Sequence, residues 1–162
     1  MPMTLKRILV PVDFSDTSLQ ALDYAIEFGK PFKAEFIVVF VVEPVYYATP
    51  ADLYGPVAGL NVLIDEQRRI GREQLTRLAA DLKKRRIVAR TILQTGTAYQ
   101  IIVDTAKRLK ADLIVMATHG RSGLSHVLLG SVAERVVRSA ACPVLTVRGA
   151  NKKVRSRRGG RR

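Results

Sequence analysis

A glycine-punctuated segment lies between residues 117 and 131 of this 162-residue chain. It follows an apolar run at 113–116 and leads into an amphipathic stretch that starts at Ser131, so that a buried strand passes into a loop that opens a helix. Gly120 and Gly130 let the backbone approach a ligand closely. A helix start directs N–H groups and the positive end of its dipole toward one point. The junction therefore favours binding of a phosphate group.

Ser131 allows two interpretations of this junction. Its backbone N–H and its hydroxyl could both contact a phosphate oxygen, but Ser131-Val-Ala-Glu134 also fits a capping box. The two are compatible, because a capped helix start still presents N–H groups. Two other phosphate motifs, the G-x-x-x-x-G-K-S/T P-loop and the G-x-G-x-x-G dinucleotide fingerprint, are absent from the sequence. Nothing therefore supports a Walker-type ATPase or a dehydrogenase.

Strand-like and helix-like segments alternate along the chain. Ser15 and Asp16 are candidate N-caps of the first helix, and Thr97 is the candidate N-cap of the third. The segment 43–59, with three prolines and two glycines, is predicted to be a long loop or lid. The remaining patterns predict helices over 61–84 and 131–140, and strands over 8–10, 36–42, 87–93, 113–117 and 144–147.

This alternation predicts an α/β fold: a single Rossmann-like, three-layer domain with a five-stranded parallel sheet and helices on both faces. A length of 162 residues fits one domain. In such sheets ligands bind at the carboxyl ends of the strands, where the strand order changes direction. The turns after the first and fourth strands, residues 11–15 and 118–130, are therefore the predicted binding site.

The formal net charge of +13 is concentrated near the C-terminus. Residues 151–162 contain seven Lys or Arg and no acid, which leaves +6 for residues 1–150. We expect residues 1–150 to form the folded domain and residues 151–162 to be a disordered basic tail. Such a tail either stays solvated and aids solubility or contacts nucleic acid nonspecifically.

The single cysteine, Cys142, excludes a disulfide framework and is expected to be a small buried core residue. The N-terminus carries no apolar signal core. The longest aliphatic or aromatic stretch, 36–42, is too short to span a bilayer. These observations predict a cytoplasmic protein without a membrane partner.

Four sequence blocks point to one family: ILVPVDFS at 8–15, GTA at 96–98, DLIVM at 112–116 and CPVLTV at 142–147. With them, the motif G-x2-G-x9-G-S/T falls on Ala117, Gly120, Gly130 and Ser131 and matches at three of its four positions. Over nearly all of residues 4–148 the chain resembles universal stress proteins of the ATP-binding branch. The first motif glycine is replaced by Ala117, and Phe40 stands where the family often has histidine, which we interpret as a packing residue.

The resemblance implies an adenine nucleotide alpha hydrolase-like fold and assigns a role to each matching position. Asp13 would recognise the adenine edge, together with the backbone of Val41. The ribose would be lined by residues at the ends of the first and fourth strands: Pro11, Val12, Met116 and Ala117. The phosphates would be held by N–H groups, with the Ser131 hydroxyl in addition, at Gly120, Gly130, Ser131 and Val132. The phosphates of ATP would carry most of the coordination of a Mg²⁺ or Mn²⁺ ion. A homodimer would form edge to edge through the last strand, bounded by Val144 and Arg148.

Three function classes follow. The first is a stress-response regulatory protein that binds ATP at the carboxyl ends of strands one and four and acts as a homodimer. No positioned general base is evident, so we expect at most slow ATP hydrolysis. The second is a nucleotide-independent stress factor that associates with nucleic acid or the ribosome through its basic tail. The third, favoured by Ala117, is a nucleotide-free dimerisation module.

Overall fold

The structure, a computed structural model, describes residues 5–44, 58–119 and 129–149. Within these ranges a five-stranded parallel sheet has the strand order β3-β2-β1-β4-β5. Its strands are β1 (Arg7–Pro11), β2 (Glu35–Val42), β3 (Ala89–Thr95), β4 (Leu113–Ala117) and β5 (Val144–Val147). The accompanying helices are α1 (Asp16–Gly29), α2 (Ala58–Lys84), α3 (Ala98–Arg108) and α4 (Ser131–Ser139). The predicted single α/β domain with a five-stranded parallel sheet is confirmed.

The sheet separates two apolar layers, because successive side chains of a strand point to opposite faces. On one face Val10 packs in a cluster with Ile26 of α1. On the other face Leu9 packs in a cluster with Ile102 of α3 and Val136 of α4. β1 is buried on both sides, which explains why its sequence is a continuous apolar run instead of an alternating one.

The strand order changes direction between β1 and β4. From β1 the chain moves outward to β2 and β3, then returns to the other side of β1 with β4 and continues to β5. Pairing between β1 and β4 covers only Ile8 with Leu113 and Leu9 with Ile114. β1 nevertheless stays paired with β2 as far as Pro11. The carboxyl ends of β1 and β4 are therefore not joined to each other, which leaves room for a cleft.

The predicted boundaries of α2 and β3 differ most from those in the structure. α2 begins at Ala58, three residues before the predicted start. β3 runs from Ala89 to Thr95 instead of from Ile87 to Leu93, because the turn that closes α2 extends as far as Ile87. Arg86 has a φ of 58°, and the N–H of Ile87 donates to the carbonyl of Leu82 at 2.9 Å, which closes the last turn of the helix.

The helix caps were predicted correctly only in part. Ser15 is the N-cap of α1, and its Oγ accepts a hydrogen bond from the N–H of Ser18 at 3.2 Å. Thr97 holds the N-cap position of α3, but its side chain makes no capping hydrogen bond. Cys142, predicted to be buried, is only half-buried. The helices in the described ranges are all too short or too polar to cross a bilayer.

Most of the predicted loop at 43–59, the basic tail at 151–162, and Gly120 lie outside the described residues.

Candidate functional site

A cavity of about 480 Å³ opens at the carboxyl ends of β1 and β4. This is the place where the strand order changes direction and where the two strands are no longer paired with each other. Its lining includes nine of the ten residues predicted to bind nucleotide: Pro11, Val12, Asp13, Val41, Met116, Ala117, Gly130, Ser131 and Val132. The tenth, Gly120, lies outside the described residues.

One wall of the cavity is apolar. Val39 and Met116, from β2 and β4, lie on the sheet face that carries α3 and α4, and both are at most 5% exposed. Val41, Ala98 and Ala133 extend the same wall. An apolar slot of this kind suits a flat ring, because burial of the ring is favourable without any polar partner along its faces.

The start of α4 supplies hydrogen-bond donors to the same cavity. Gly130 is the N-cap residue of α4, and the first bond within the helix runs from the N–H of Glu134 to the carbonyl of Gly130 at 2.9 Å. The N–H groups of Ser131, Val132 and Ala133 come before this bond and have no acceptor within the helix. All three residues line the cavity. The arrangement is suited to bind an anion.

The capping box predicted for α4 was wrong. Ser131 is the first residue of the helix and not its N-cap, so Glu134 stands four residues after the cap instead of three. Glu134 lies 3.8 Å from Arg138, one turn along the helix, as an exposed ion pair. The Ser131 hydroxyl therefore has no capping function, and Ser131 is one of the residues that line the cavity.

Gly130 fixes the position of α4 relative to β4. Its N–H donates to the carbonyl of Thr118, directly after β4, at 2.8 Å. A Cβ atom at Gly130 would lie 3.0 Å from that carbonyl oxygen. The φ of Gly130 is −68°, which any residue can adopt, so glycine is required here for space. The carbonyl of His119 in turn accepts a hydrogen bond from the Thr17 hydroxyl at 3.0 Å, which joins this end of the loop to α1.

Asp13 shapes the turn that follows β1. Its Oδ1 accepts hydrogen bonds from the N–H of Ser15 at 3.0 Å and from the Ser15 hydroxyl at 2.5 Å. Between them Phe14 has a φ of 62°, a strained conformation for a residue with a side chain. The ring of Phe14 packs against that of Phe40, with centroids 5.3 Å apart. The turn holds the Asp13 carboxylate at the cavity, where it can accept a hydrogen bond from an amino group.

Ala117 lies on the opposite face of the sheet from Met116, because neighbouring residues of a strand alternate. It belongs to the apolar cluster on the α1 and α2 side, whereas Met116 belongs to the other cluster. Ala117 is only 9% exposed. The methyl group that distinguishes it from the motif glycine therefore packs into the core, while the residue still contributes to the cavity lining.

Several residues that line the cavity were given no role from the sequence, although two of them, Thr118 and His119, fall within the predicted turn 118–130. Glu43 follows β2, and its Oε1 accepts a hydrogen bond from the N–H of Ala98 at 3.0 Å, at the start of α3. Thr118 and His119 follow β4 and also line the cavity. Glu43 and Thr118 are each the first polar residue after a buried strand, which is the signal that could have identified them.

The comparisons with known proteins agree with this architecture. A sequence model of the Universal stress protein family matches residues 4–148. A universal stress protein of Methanocaldococcus jannaschii is 39% identical over 144 residues, covering 88% of this chain and 82% of the relative. The solved structure of the universal stress protein UspA from Lactobacillus plantarum has a TM-score of 0.78 at 27% identity, over 90% of this chain and 99% of that one.

A universal stress protein family protein from Arabidopsis thaliana, solved with AMP bound, has a TM-score of 0.64. It covers 91% of this chain and 94% of its own, and its 18% identity shows a shared fold alone. The family model covers most of the chain, and the relative from Methanocaldococcus jannaschii is well above 30% identical. This chain is therefore a member of the universal stress protein family.

Proposed function

We propose that this protein is a stress-response regulatory protein that binds ATP in the cavity between β1 and β4. The observation that carries the proposal is the pairing of two chemistries in one cavity. An apolar wall that suits the adenine ring lies in the same cavity as the three N–H groups at the start of α4, which suit phosphates. The volume of about 480 Å³ lies within the usual range for small-molecule sites.

In this proposal Asp13 accepts a hydrogen bond from the adenine amino group, and the backbone of Val41 contacts the base. Pro11, Val12, Met116 and Ala117 line the ribose. Ser131 and Val132 bind the phosphates through their N–H groups, with Gly120 as a further phosphate ligand. The N–H of Gly130, which was expected to bind phosphate, already donates to the carbonyl of Thr118, so Gly130 contributes close approach of the backbone to the phosphates. The AMP-bound protein from Arabidopsis thaliana supports the choice of an adenine nucleotide, because it shares this fold.

We place a Mg²⁺ or Mn²⁺ ion mainly on the phosphates of the bound nucleotide. Within the described residues there is no group of three His, Cys, Asp or Glu side chains that could hold a metal ion.

We propose that regulation, and not fast catalysis, is the role of the bound ATP. The carboxylates of Asp13 and Glu134 already make other interactions: Asp13 accepts hydrogen bonds from Ser15, and Glu134 lies beside Arg138. Fast hydrolysis needs a base aimed at the attacking water. Turnover above about 1 s⁻¹, the low end for typical enzymes, would contradict this part of the proposal.

The decisive experiment is isothermal titration of nucleotide-stripped protein with Mg-ATP and with AMP. We expect tighter binding of ATP, because the additional phosphates reach the start of α4. Ser131→Ala should weaken ATP binding about tenfold or more, through loss of roughly one hydrogen bond to a charged group, and should change AMP binding less. Ser139→Ala, an exposed serine at the other end of α4, is the matched control. Absence of heat at millimolar ATP would overturn the proposal.

A homodimer through β5 is the second part of the proposal. β5 is an edge strand of the sheet, and Leu145 on it is 38% exposed. Unpaired edge strands associate unless they are protected. We propose that the segment bounded by Val144 and Arg148 pairs with its copy in a second subunit.

Thr146→Pro tests the dimer. The carbonyls of Pro143 and Val147 accept hydrogen bonds from β4, so the N–H groups of the alternate residues Val144 and Thr146 point outward. Proline at 146 removes one outward donor without breaking a bond to β4. We expect sedimentation velocity to show a dimer for the wild type and a monomer for the variant. A wild type that stays monomeric at high micromolar concentration would contradict the dimer.

A second candidate function rests on the basic segment 151–162, which we propose to be a tail separate from the domain formed by residues 1–150. Its seven Lys or Arg and lack of acids favour nonspecific contact with nucleic acid or the ribosome. Deletion of residues 151–162 distinguishes this function from the first, since it should reduce RNA affinity and leave ATP affinity unchanged. RNA affinity that does not change would refute a role for the tail.

A further inference from the structure

A second concavity lies at the opposite end of the sheet, where the strands begin. It has a volume of about 370 Å³, and its lining includes the cations Arg7, Arg90, Arg108 and Lys110. Glu35 is the only acidic residue in that lining. We call this concavity the amino-end groove. Its excess of positive charge distinguishes it from the nucleotide cavity, whose lining contains Asp13 and Glu43.

The fold partly explains why cations gather here. Parallel strands all begin at this end of the sheet, and the connecting helices α2 and α3 both end here. Their last turns carry Lys83 and Lys84 in α2, and Lys107 and Arg108 in α3. Basic residues at these positions complement the negative end of a helix dipole. This explanation accounts for the cations contributed by helices.

The helix dipole does not account for every cation on the strands. Arg7 is paired in register with Glu35, and Arg90 with Ile37, so these residues share one end of the sheet. Arg7 and Arg90 both line the same concavity as the end of α3. Arg7 contacts the end of α3 through the carbonyl of Leu109, whereas Arg90 makes no such contact within the described ranges. The convergence of Arg90 with Arg108 in one groove therefore favours an anionic ligand.

Arg7 is held in place within the groove. Its Nη1 donates to the carbonyl of Leu109 at 3.1 Å, and its Nε lies 3.9 Å from Glu35 Oε2. The side chains of Arg90, Arg108 and Lys110 are exposed and make no hydrogen bond or ion pair with another side chain of the described ranges. Arg90, Arg108 and Lys110 are therefore available to a ligand, next to the Arg7 guanidinium, which Leu109 and Glu35 already orient.

We propose that the amino-end groove binds the phosphodiester backbone of single-stranded nucleic acid, at the end of the sheet opposite the nucleotide cavity. The exposure of Arg90, Arg108 and Lys110 favours a polymer over a compact anion. Exposed cations hold a single phosphate weakly, whereas a polymer adds many such contacts and releases its counterions. Lys107, next to Arg108 in the last turn of α3, adds further positive charge at this helix end.

Contacts of this kind are made to phosphates, so binding is independent of base sequence. The groove is formed by residues of the folded domain, which separates this proposal from any contribution of the basic segment 151–162. It also leaves the cavity between β1 and β4 free, so ATP and nucleic acid can be bound at the same time.

The test is fluorescence anisotropy of a labelled oligouridylate of about 20 nucleotides with the full-length chain, over a series of salt concentrations. We expect Arg90→Glu/Arg108→Glu to weaken binding by about tenfold or more at low salt. The slope of log affinity against log salt should fall by about 1.4 in magnitude, since each lost phosphate contact on a single strand contributes about 0.7. The neutral pair Arg90→Gln/Arg108→Gln should give the same change in slope, with circular dichroism to check folding.

The matched control is Arg72→Glu/Arg77→Glu, which changes two exposed arginines of α2 and gives the same net charge. We expect it to keep most of the affinity. Gly130→Val, which places a side chain against the Thr118 carbonyl at the nucleotide cavity, should bind the oligouridylate as the wild type does. The ATP affinity of Arg90→Glu/Arg108→Glu should equal that of the wild type, so the test of ATP binding and the test of nucleic-acid binding give independent results.

Three results would overturn the proposal. Equal losses for the groove variant and the α2 control would mean that total charge alone determines binding. A loss on deletion of 151–162, with none in the groove variants, would assign binding to the tail. A loss in Gly130→Val would place the oligouridylate in the nucleotide cavity.

Discussion

The backbone N–H of Gly130 donates a 2.8 Å hydrogen bond to the carbonyl oxygen of Thr118. This bond joins the start of α4 to the end of β4 across the whole glycine-rich segment. It therefore sets where the N–H groups of Ser131 and Val132 stand relative to the apolar wall that Met116 contributes. The distance between the proposed phosphate and adenine positions depends on this one contact.

Gly130→Ala should weaken ATP binding about 5- to 10-fold while costing little stability. The added Cβ would lie 3.0 Å from the Thr118 oxygen, which is backbone and can move only with β4 or α4. We expect a shift of α4 that lengthens the contacts between its N–H groups and the phosphates. Calorimetric titration with Mg-ATP measures the effect, and thermal unfolding checks that the fold is kept. Wild-type affinity in this variant would show that the position of α4 is not critical.

The carboxyl ends of β1 and β4 could be predicted as the site from sequence, because the fold class alone places ligands there. Buried parallel strands appear in the sequence as continuous apolar runs, such as 113–116. The glycines after this run allow the backbone to approach a ligand closely. The hydrogen bond between Glu43 and Ala98 could not be predicted in the same way. It joins residues 55 positions apart, and only the packing of β2 beside β3 brings them together.

The cap of α4 illustrates a different difficulty. Ser131 and Glu134 have the spacing of a capping box, and nothing local in the sequence favours Gly130 as the cap instead. The N–H of Gly130 is held by the carbonyl of Thr118 while its own carbonyl accepts the first helical bond, from Glu134, so Gly130 is the cap and the helix begins at Ser131. A tertiary contact thus moved the helix boundary by one residue and changed the role of Ser131.

Glu43→Ala should destabilise the protein by about 0.5–1 kcal/mol, because the N–H of Ala98 loses its acceptor at the start of α3. Glu43→Gln keeps an acceptor oxygen and should recover most of that loss. Chemical denaturation of the two variants beside the wild type measures the difference. Equal stability of all three proteins would mean that water replaces the carboxylate without cost.

Gly71→Ala should destabilise the protein by about 1–3 kcal/mol, although alanine is normally favoured over glycine inside a helix. Gly71 lies in α2 directly against the ring of Phe40, and an added Cβ would stand 2.7 Å from Phe40 Cδ1. Phe40→Leu should relieve this overlap, so the double variant should be more stable than the sum of the two single changes indicates. Denaturant unfolding of all four proteins measures the coupling, and additive effects would contradict it.

Cys142 should react slowly with iodoacetamide. Partial burial raises the pKa of its thiol, and the negative charge of Asp112 raises it further. A raised pKa means that the folded state favours the neutral thiol, so the reactive thiolate appears only at a higher pH than in a free cysteine. The stability that the neutral thiol contributes to the folded state is present below the ordinary thiol pKa and is lost as the pH rises through the raised pKa.

Because Cys142 is the only cysteine, the alkylation rate against pH reports this thiol alone. The midpoint should lie above that of the same protein unfolded in urea, which serves as the control. A midpoint at or below the unfolded value would show that the thiol is activated, and Cys142 would then become a candidate for redox chemistry.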